Sequence, residues 1–310
     1  KKQLPLTFRK LKQKNIHQKN IPSSDMQLIS DNFNEVHEFI SAWKRNEYKI
    51  GFVPTMGNLH QGHLSLIEQI KKSNVDKIIV SIFVNPRQFG PSEDYNNYPR
   101  TLIADSKKLA DLDVDLLFCP NEQLMYPIQN LGELKIDNNT LMADLCGINR
   151  VGHFNGVLIV VNKLFNLLQP DIVIFGQKDY QQYLIIKSMI ENLFMPIELI
   201  LSPIVRESDG LAMSSRNQYL NKNEREKAPL LYECLVNISD AILKNPNKIQ
   251  SILKKEVSII EKSGFNIEYL EIRHSDDLTP VENFHYSEKK YILLLAAKIG
   301  ATRLIDNLIL

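Results

Sequence analysis

The sequence predicts an α/β protein: a parallel sheet with helices on both faces, plus a smaller C-terminal α+β domain. Three observations carry that expectation. Between residues 34 and 201, strand-length apolar runs alternate with helical stretches. The runs are apolar throughout, as in parallel strands buried on both faces. After about residue 205 the alternation stops, and two helical stretches precede three strand-like runs, the pattern of a separate α+β unit.

Taken in order, Asn34 to Glu47 spaces its apolar residues as an amphipathic helix does, and Lys49 to Val53 is a short apolar strand. His63 to Lys72 is helical, Lys77 to Val84 is a β-branched strand, Arg100 to Leu112 is helical, and Val114 to Cys119 is a strand. Phe154 to Leu168 and Tyr180 to Leu193 are helical, each followed by a strand (Asp171 to Phe175, Pro196 to Leu201). In the second unit, Glu224 to Lys244 and Lys248 to Ser263 read as helices. Asn266 to Arg273, Tyr291 to Ala296 and Thr302 to Leu308 read as strands. No internal repeat is evident.

Composition narrows the function classes. With 44% hydrophobic and 24% charged residues, the chain is not collagenous, low-complexity or wholly disordered. The C-terminal apolar run Ile292 to Ala297 falls far short of the roughly 20 residues that span a bilayer. Cys119, Cys146 and Cys234 show no paired metal spacing and form no disulfide framework, so a reducing, cytoplasmic setting is expected. Residues 1–24 hold seven basic residues and no acid, leaving 30 basic against 36 acidic in the remainder, a net −6. A body that acidic is a poor general binder of nucleic acid, and any anionic substrate needs a local cluster of cations. Residues 1–25 lack a hydrophobic period and are expected to be a disordered or expression-derived extension, with a transit peptide as the alternative and Met26 as a candidate natural start.

Ligands of such sheets bind beyond the carboxyl ends of the strands, and four segments there carry candidate chemistry. The first is Pro54-Thr55-Met56-Gly57-Asn58-Leu59-His60-Gln61-Gly62-His63. Its glycines allow close backbone approach, its helix N-terminus suits phosphate, and His60 and His63 point the same way on one turn. Two imidazoles there can stabilise charge during phosphoryl or nucleotidyl transfer. The second is Phe83-Val84-Asn85-Pro86-Arg87-Gln88-Phe89, where Asn85 and Gln88 offer neutral hydrogen bonds to hydroxyls or a carboxylate. An ordinary Asn-Pro turn is an equal alternative. The third is Phe175-Gly176-Gln177-Lys178-Asp179-Tyr180-Gln181-Gln182. Lys178 supplies a point charge for phosphate, Asp179 a helix cap or a ribose acceptor, and Gln182 lies on the face of Lys178. The fourth, Val205 to Asn217, contains Met213-Ser214-Ser215-Arg216, a mobile phosphate clamp in which Arg216 bridges two oxygens. A polar linker is the plainer alternative. Arg150, in Arg150-Val151-Gly152-His153-Phe154, faces an anion or simply a surface loop.

The H-x-G-H element resembles the nucleotide-binding signature of the nucleotidyltransferase and class I aminoacyl-tRNA synthetase superfamily, which implies adenylate chemistry on a Rossmann-like parallel sheet. Jointly, P-T-M-G-N-L-H-Q-G-H, S-I-F-V-N-P-R-Q-F, F-G-Q-K-D-Y-Q-Q and D-G-L-A-M-S-S-R-N resemble the pantoate–β-alanine ligase family from about Met26 to the C-terminus. That resemblance implies ATP-dependent joining of pantoate to β-alanine through pantoyl adenylate, with pyrophosphate and AMP released. It assigns Met56 to His63, Gly176 to Asp179 and Met213 to Arg216 to the ATP site, with Pro54 and Thr55 leading into it and Val205 near the base. Catalysis falls to His60, His63 and Lys178; the family's proton donor is His63, which we read as a phosphate-contacting acid. Gln88 and Gln182 match the pantoate positions, and Gln88 also approaches β-alanine.

The resemblance further implies Mg²⁺ arriving with ATP, and a homodimer. Where the family often carries neighbouring acids that help hold Mg²⁺, this chain has Ala104 before Asp105 and Lys108 one turn on. A protein-held metal site is therefore not expected, Asp105 being the one acid left there to serve, and phosphates and water hold most of the Mg²⁺. Cys146 stands where an acidic residue is common and Val151 where proline is frequent. Residues 26–204 are expected to form the Rossmann-like nucleotide-binding domain and 205–310 a small α+β lid. A nucleotidylyltransferase with a stable nucleotide-linked product, a synthetase fragment and a non-catalytic nucleotide-binding module are the alternatives.

Overall fold

The computed structural model describes residues 26–91, 93–127, 134–281, 284 and 291–310. The extension expected over residues 1–25 lies outside them. The described elements run β1 (Gln27–Ile29), α1 (Phe33–Arg45), β2 (Ile50–Thr55), α2 (Gln61–Lys71), β3 (Lys77–Ile82), α3 (Leu102–Ala110), β4 (Leu116–Phe118), α4 (Glu122–Met125), α5 (Cys146–Asn149), α6 (His153–Leu168), β5 (Ile172–Gly176), α7 (Tyr180–Asn192) and β6 (Glu198–Ser202). Then follow α8 (Lys222–Lys227), α9 (Leu230–Lys244), α10 (Ile249–Lys262), β7 (Asn266–His274), β8 (Tyr291–Ile299) and β9 (Thr302–Ile309).

Strands β1 to β6 form a parallel sheet in the order β1-β4-β3-β2-β5-β6. From β2 the chain proceeds through β3 to β4 on one side, and later through β5 to β6 on the other. The order therefore reverses between β2 and β5, which pair at Gly51–Ile172 and Phe52–Val173. A crevice opens beyond the strand ends at such a point. Alternate residues of β2 serve opposite faces. Phe52 packs with α1, α6 and α7, and Val53 packs with α2 and α3. Helix α6 is apolar on nearly all sides, with eleven buried residues, because it is wedged between the sheet and its flanking helices.

Strands β7, β8 and β9 form an antiparallel sheet with its own core against α9 and α10. The α/β class with a smaller α+β unit is thus the observed architecture. One expected helix is corrected: Glu224 to Lys244 is broken into α8 and α9 at Ala228-Pro229, because Pro229 has no N–H to continue the ladder. Strand β1 went unpredicted. It is three residues long and is a strand through its pairing with β4.

Candidate active site

The turn from β2 to α2 is built around a buried carboxylate. Gly57 and Asn58 take positive φ values of 83° and 51°, which turn the chain sharply. Asp105 of α3, 1% exposed, braces that turn. It accepts from the Asn58 and Leu59 N–H groups at 2.8 and 2.9 Å and from Thr101 Oγ1 at 2.9 Å. Both carboxylate oxygens are engaged in bracing the turn. Gly57 makes the turn rather than lining the cleft.

His60 caps α2. Its Nδ1 accepts from the Gly62 N–H at 3.2 Å, and His63 Nδ1 accepts from the His60 N–H at 3.3 Å. The ring centroids lie 4.1 Å apart. Burial pushes His60 down to about 4, helped by Lys178 and Lys108. Burial, then His60 and Lys178, pushes His63 down to about 3. Both rings are therefore neutral near pH 7. With each Nδ1 accepting, each proton sits on Nε2 and is available for donation.

At the end of β5, Gly176 leads into a short 3₁₀ turn, Gln177–Asp179, which presents Lys178 to the cleft. Asn307 of β9 fixes this turn. Its Nδ2 donates to the Gln177 and Lys178 carbonyls at 2.8 and 3.1 Å, and its Oδ1 accepts from Gln177 Nε2 at 3.0 Å. Lys178 Nζ stands 3.9 Å from Asp179 Oδ2. Burial works to raise the Asp179 carboxyl, but Lys178 and Arg216 outweigh it and hold it below the usual value.

The third wall comes from residues 203–216. Ser215 Oγ donates to the Asn58 carbonyl at 3.3 Å, joining this segment to the β2–α2 turn. Ser214 Oγ accepts from the Arg216 N–H at 3.2 Å. Arg216 grips Asp94 through Nε and Nη2 at 3.1 and 2.8 Å. Arg150 likewise grips Glu93 at 2.7 Å through both Nε and Nη2. Against the opposing effect of burial, that guanidinium holds the Glu93 carboxyl down at about 2. Glu93 and Asp94 are neighbours, so one loop neutralises both cleft arginines. No sequence signal marked that pairing. His153 accepts from Arg150 on Nε2 at 2.8 Å and donates Nδ1–H to the Gln88 carbonyl at 2.7 Å, the opposite tautomer to His60 and His63.

The fourth wall holds Gln88. Its Nε2 donates to Met56 Sδ, a weak acceptor, at 3.0 Å. Its Oε1 accepts from Asn85 Nδ2 at 3.0 Å. Asn85 itself is 1% exposed and fully engaged: Nδ2 also donates to the Gly156 carbonyl, while Oδ1 accepts from Tyr126 and from the Arg87 N–H. Through its Nδ2, Asn85 positions the Gln88 amide. Gly156 of α6 is required here, since a Cβ would meet the Arg87 carbonyl oxygen at 2.1 Å.

The walls enclose one cleft above the β2–β5 junction. Pro54, Thr55, Met56, His60 and His63 line it together with Gly176, Lys178, Asp179 and Gln182. Ser214, Ser215, Arg216, Gln88 and Arg150 complete the polar part, Val205 and Met213 lie beside it, and Phe83, Val157, Val160, Val161 and Leu164 form an apolar wall. Among the described residues no group of three or more His, Cys, Asp or Glu side chains is gathered as a metal would require.

Comparison with known proteins agrees with this architecture. The family model described as pantoate-beta-alanine ligase matches residues 28–309. Pantothenate synthetase of Pseudomonas fluorescens (strain Pf0-1) is 46% identical over 260 residues, 84% of this chain and 90% of the relative. That of Thermoanaerobacter sp. (strain X514) is 46% identical over 283 residues, 91% and 98% of the two chains. The crystal structure of Thermus thermophilus pantothenate synthetase superposes with a TM-score of 0.82 at 39% identity, covering 91% of this chain and 99% of that one. A Francisella tularensis pantoate-beta-alanine ligase, complexed with beta-gamma ATP and beta-alanine, gives 0.75 at 38% identity, covering 92% and 97%. The chain belongs to the pantoate–β-alanine ligase family.

Proposed function

We propose that this cleft activates pantoate with ATP and passes the acyl group to β-alanine, forming pantothenate. The supporting observation is the convergence of His60, His63, Lys178 and Ser214–Arg216 from three chain segments, beside Gln88, Gln182 and an apolar wall. The triphosphate lies over the N-terminus of α2, where unpaired N–H groups and the helix dipole favour anions. A pantoate carboxylate oxygen attacks the α-phosphorus and pyrophosphate leaves. The charge that builds on the phosphoryl oxygens is met by the Lys178 ammonium and by the Nε2–H groups of His60 and His63. His63 acts as a neutral hydrogen-bond donor, since burial keeps it from carrying a second proton near pH 7. The β-alanine amine then attacks the acyl carbon, the bond to the phosphate oxygen breaks and AMP departs.

Gln88 holds pantoate with Gln182. Among the described residues its Nε2 is held only by a thioether, and it turns to a better acceptor at little cost. Arg216 and Arg150 enter the site already paired with Asp94 and Glu93, so phosphate competes with a carboxylate for each. Mg²⁺ accompanies ATP, neutralising triphosphate charge, with phosphates and water as most of its ligands. Asp105, Glu93 and Asp94 are each engaged elsewhere. Residues 26–204 form the nucleotide-binding domain and 205–310 the lid that brings Ser214–Arg216 over it. A homodimer in the cytoplasm completes the reading, supported by the family resemblance and by three free cysteines. Substrate omission tests it: ATP–pyrophosphate exchange should require pantoate, and AMP should form only when β-alanine is added. Exchange without pantoate, or AMP release on addition of tRNA, would refute the assignment.

A further inference from the structure

One buried hydroxyl in the cleft lacks a partner. Ser81 of β3 is 0% exposed and lines the cleft, yet among the described residues its Oγ has no hydrogen-bond partner. Its carbonyl is engaged, accepting from Thr55 Oγ1 at 2.8 Å, so the orphan is the side chain alone. Folded proteins seldom leave such a group unpaired, and one that persists calls for an explanation.

Its surroundings supply one. Ser81 alternates with Ile79 on one face of β3, and Ile79 and Phe83, just past the strand end, belong to the same apolar core as Val157, Val160 and Leu164 of α6. Ser81 thus places a single hydroxyl in an otherwise apolar wall. The acid that binds here turns its carboxylate toward the cationic groups that hold the α-phosphate. Its 2-hydroxyl, next to that carboxylate, falls to the amides of Gln88 and Gln182. On the function proposed above, that leaves the two methyl groups and the terminal hydroxyl to the apolar wall, where the terminal hydroxyl also needs a partner.

We propose that Ser81 is a specificity-determining residue whose hydroxyl bonds the terminal hydroxyl of the hydroxy acid, so that each satisfies the other only when the correct substrate is seated. The inference rests on the function proposed above. A site that bonds a substrate hydroxyl rejects analogues lacking it, because its own polar group is then left buried and unpaired.

The test compares wild type with Ser81→Ala, using pantoate and its 4-deoxy analogue, 2-hydroxy-3,3-dimethylbutanoate, and measuring pyrophosphate release. We expect Ser81→Ala to lower kcat/KM for pantoate by about 5- to 50-fold while leaving the deoxy acid within about twofold, collapsing the wild-type preference. Its melting temperature should be unchanged or higher, since the deleted hydroxyl had no partner. Equal losses on both acids, an undiminished preference or a lower melting temperature would each overturn the role of Ser81 and leave the ligase reading standing. A wild type that releases no pyrophosphate with pantoate would overturn both.

Discussion

Replacing Asp105 separates a structural carboxylate from a metal-binding one. Its two oxygens accept three hydrogen bonds, two of them from backbone N–H groups of the turn that carries His60. Asp105→Ala leaves the buried Leu59 N–H without an acceptor, at about 1–3 kcal/mol, and removes the bonds from the half-buried Asn58 N–H and from Thr101, at about 1 kcal/mol each. The sum is about 3–5 kcal/mol. At roughly 2–4 °C per kcal/mol for a chain approaching this size, the melting temperature should fall by about 6–20 °C. Asp105→Asn keeps one acceptor but sets an amide N–H against a backbone N–H, so it should fall by somewhat less. Thermal unfolding and the Mg²⁺ dependence of pyrophosphate release should be measured on the same preparations. A brace predicts lower stability, with the Mg²⁺ concentration at half-maximal rate unchanged. Unchanged stability with a raised Mg²⁺ requirement would refute the argument and restore Asp105 as a metal ligand.

Other consequences are equally direct. His63→Ala or Lys178→Ala should slow adenylate formation about 10²–10³-fold in single-turnover experiments with circular dichroism unaltered; full rates in both would remove their assigned roles. Nitrogen NMR at pH 7 should show His60 and His63 neutral with the proton on Nε2, and His153 neutral with it on Nδ1; an imidazolium at any of the three would contradict the geometry. All three histidines titrate lower folded, at about 4, 3 and 3, than unfolded, near 6.5. The unfolded chain takes up protons first as pH falls, so this stability is full above about pH 6.5 and is lost toward pH 3–4. At pH 5 the loss should reach about 2 kcal/mol for each of His63 and His153, read as a lower urea midpoint, and an equal midpoint at pH 7 and 5 would exclude it. Gly156→Ala should raise the KM for pantoate and lower stability by about 1–3 kcal/mol or more, because the new methyl overlaps the Arg87 carbonyl; wild-type values of both would show that the segment gives way freely.

Much of this was legible in the sequence because it is local. The β2–α2 turn announces itself through Gly57, His60 and Gly62 within six residues, and β2 to β6 each through a short, largely apolar run. Contacts between distant segments were not legible. Asp94 to Arg216 spans 122 residues and Asn307 to Gln177 spans 130, and no residue spacing reports either. The same blindness hid the internal partners of Asn85 and Asp105. Each carries the right chemistry near the right motif, but its hydrogen-bonding capacity is consumed by backbone and side chains that only the fold brings near. Ser81 is the converse case, a strand residue with an unremarkable neighbourhood in the sequence, exposed as unusual only once its missing partner is visible.

The central claim is that a carboxylate oxygen of pantoate attacks the α-phosphorus of ATP in this cleft. Pantoate labelled with ¹⁸O in both carboxylate oxygens tests it in one turnover with ATP and β-alanine. The account predicts one ¹⁸O in the phosphate of AMP and the other in the amide carbonyl of pantothenate. Unlabelled AMP, or label in the pyrophosphate or in inorganic phosphate, would contradict it.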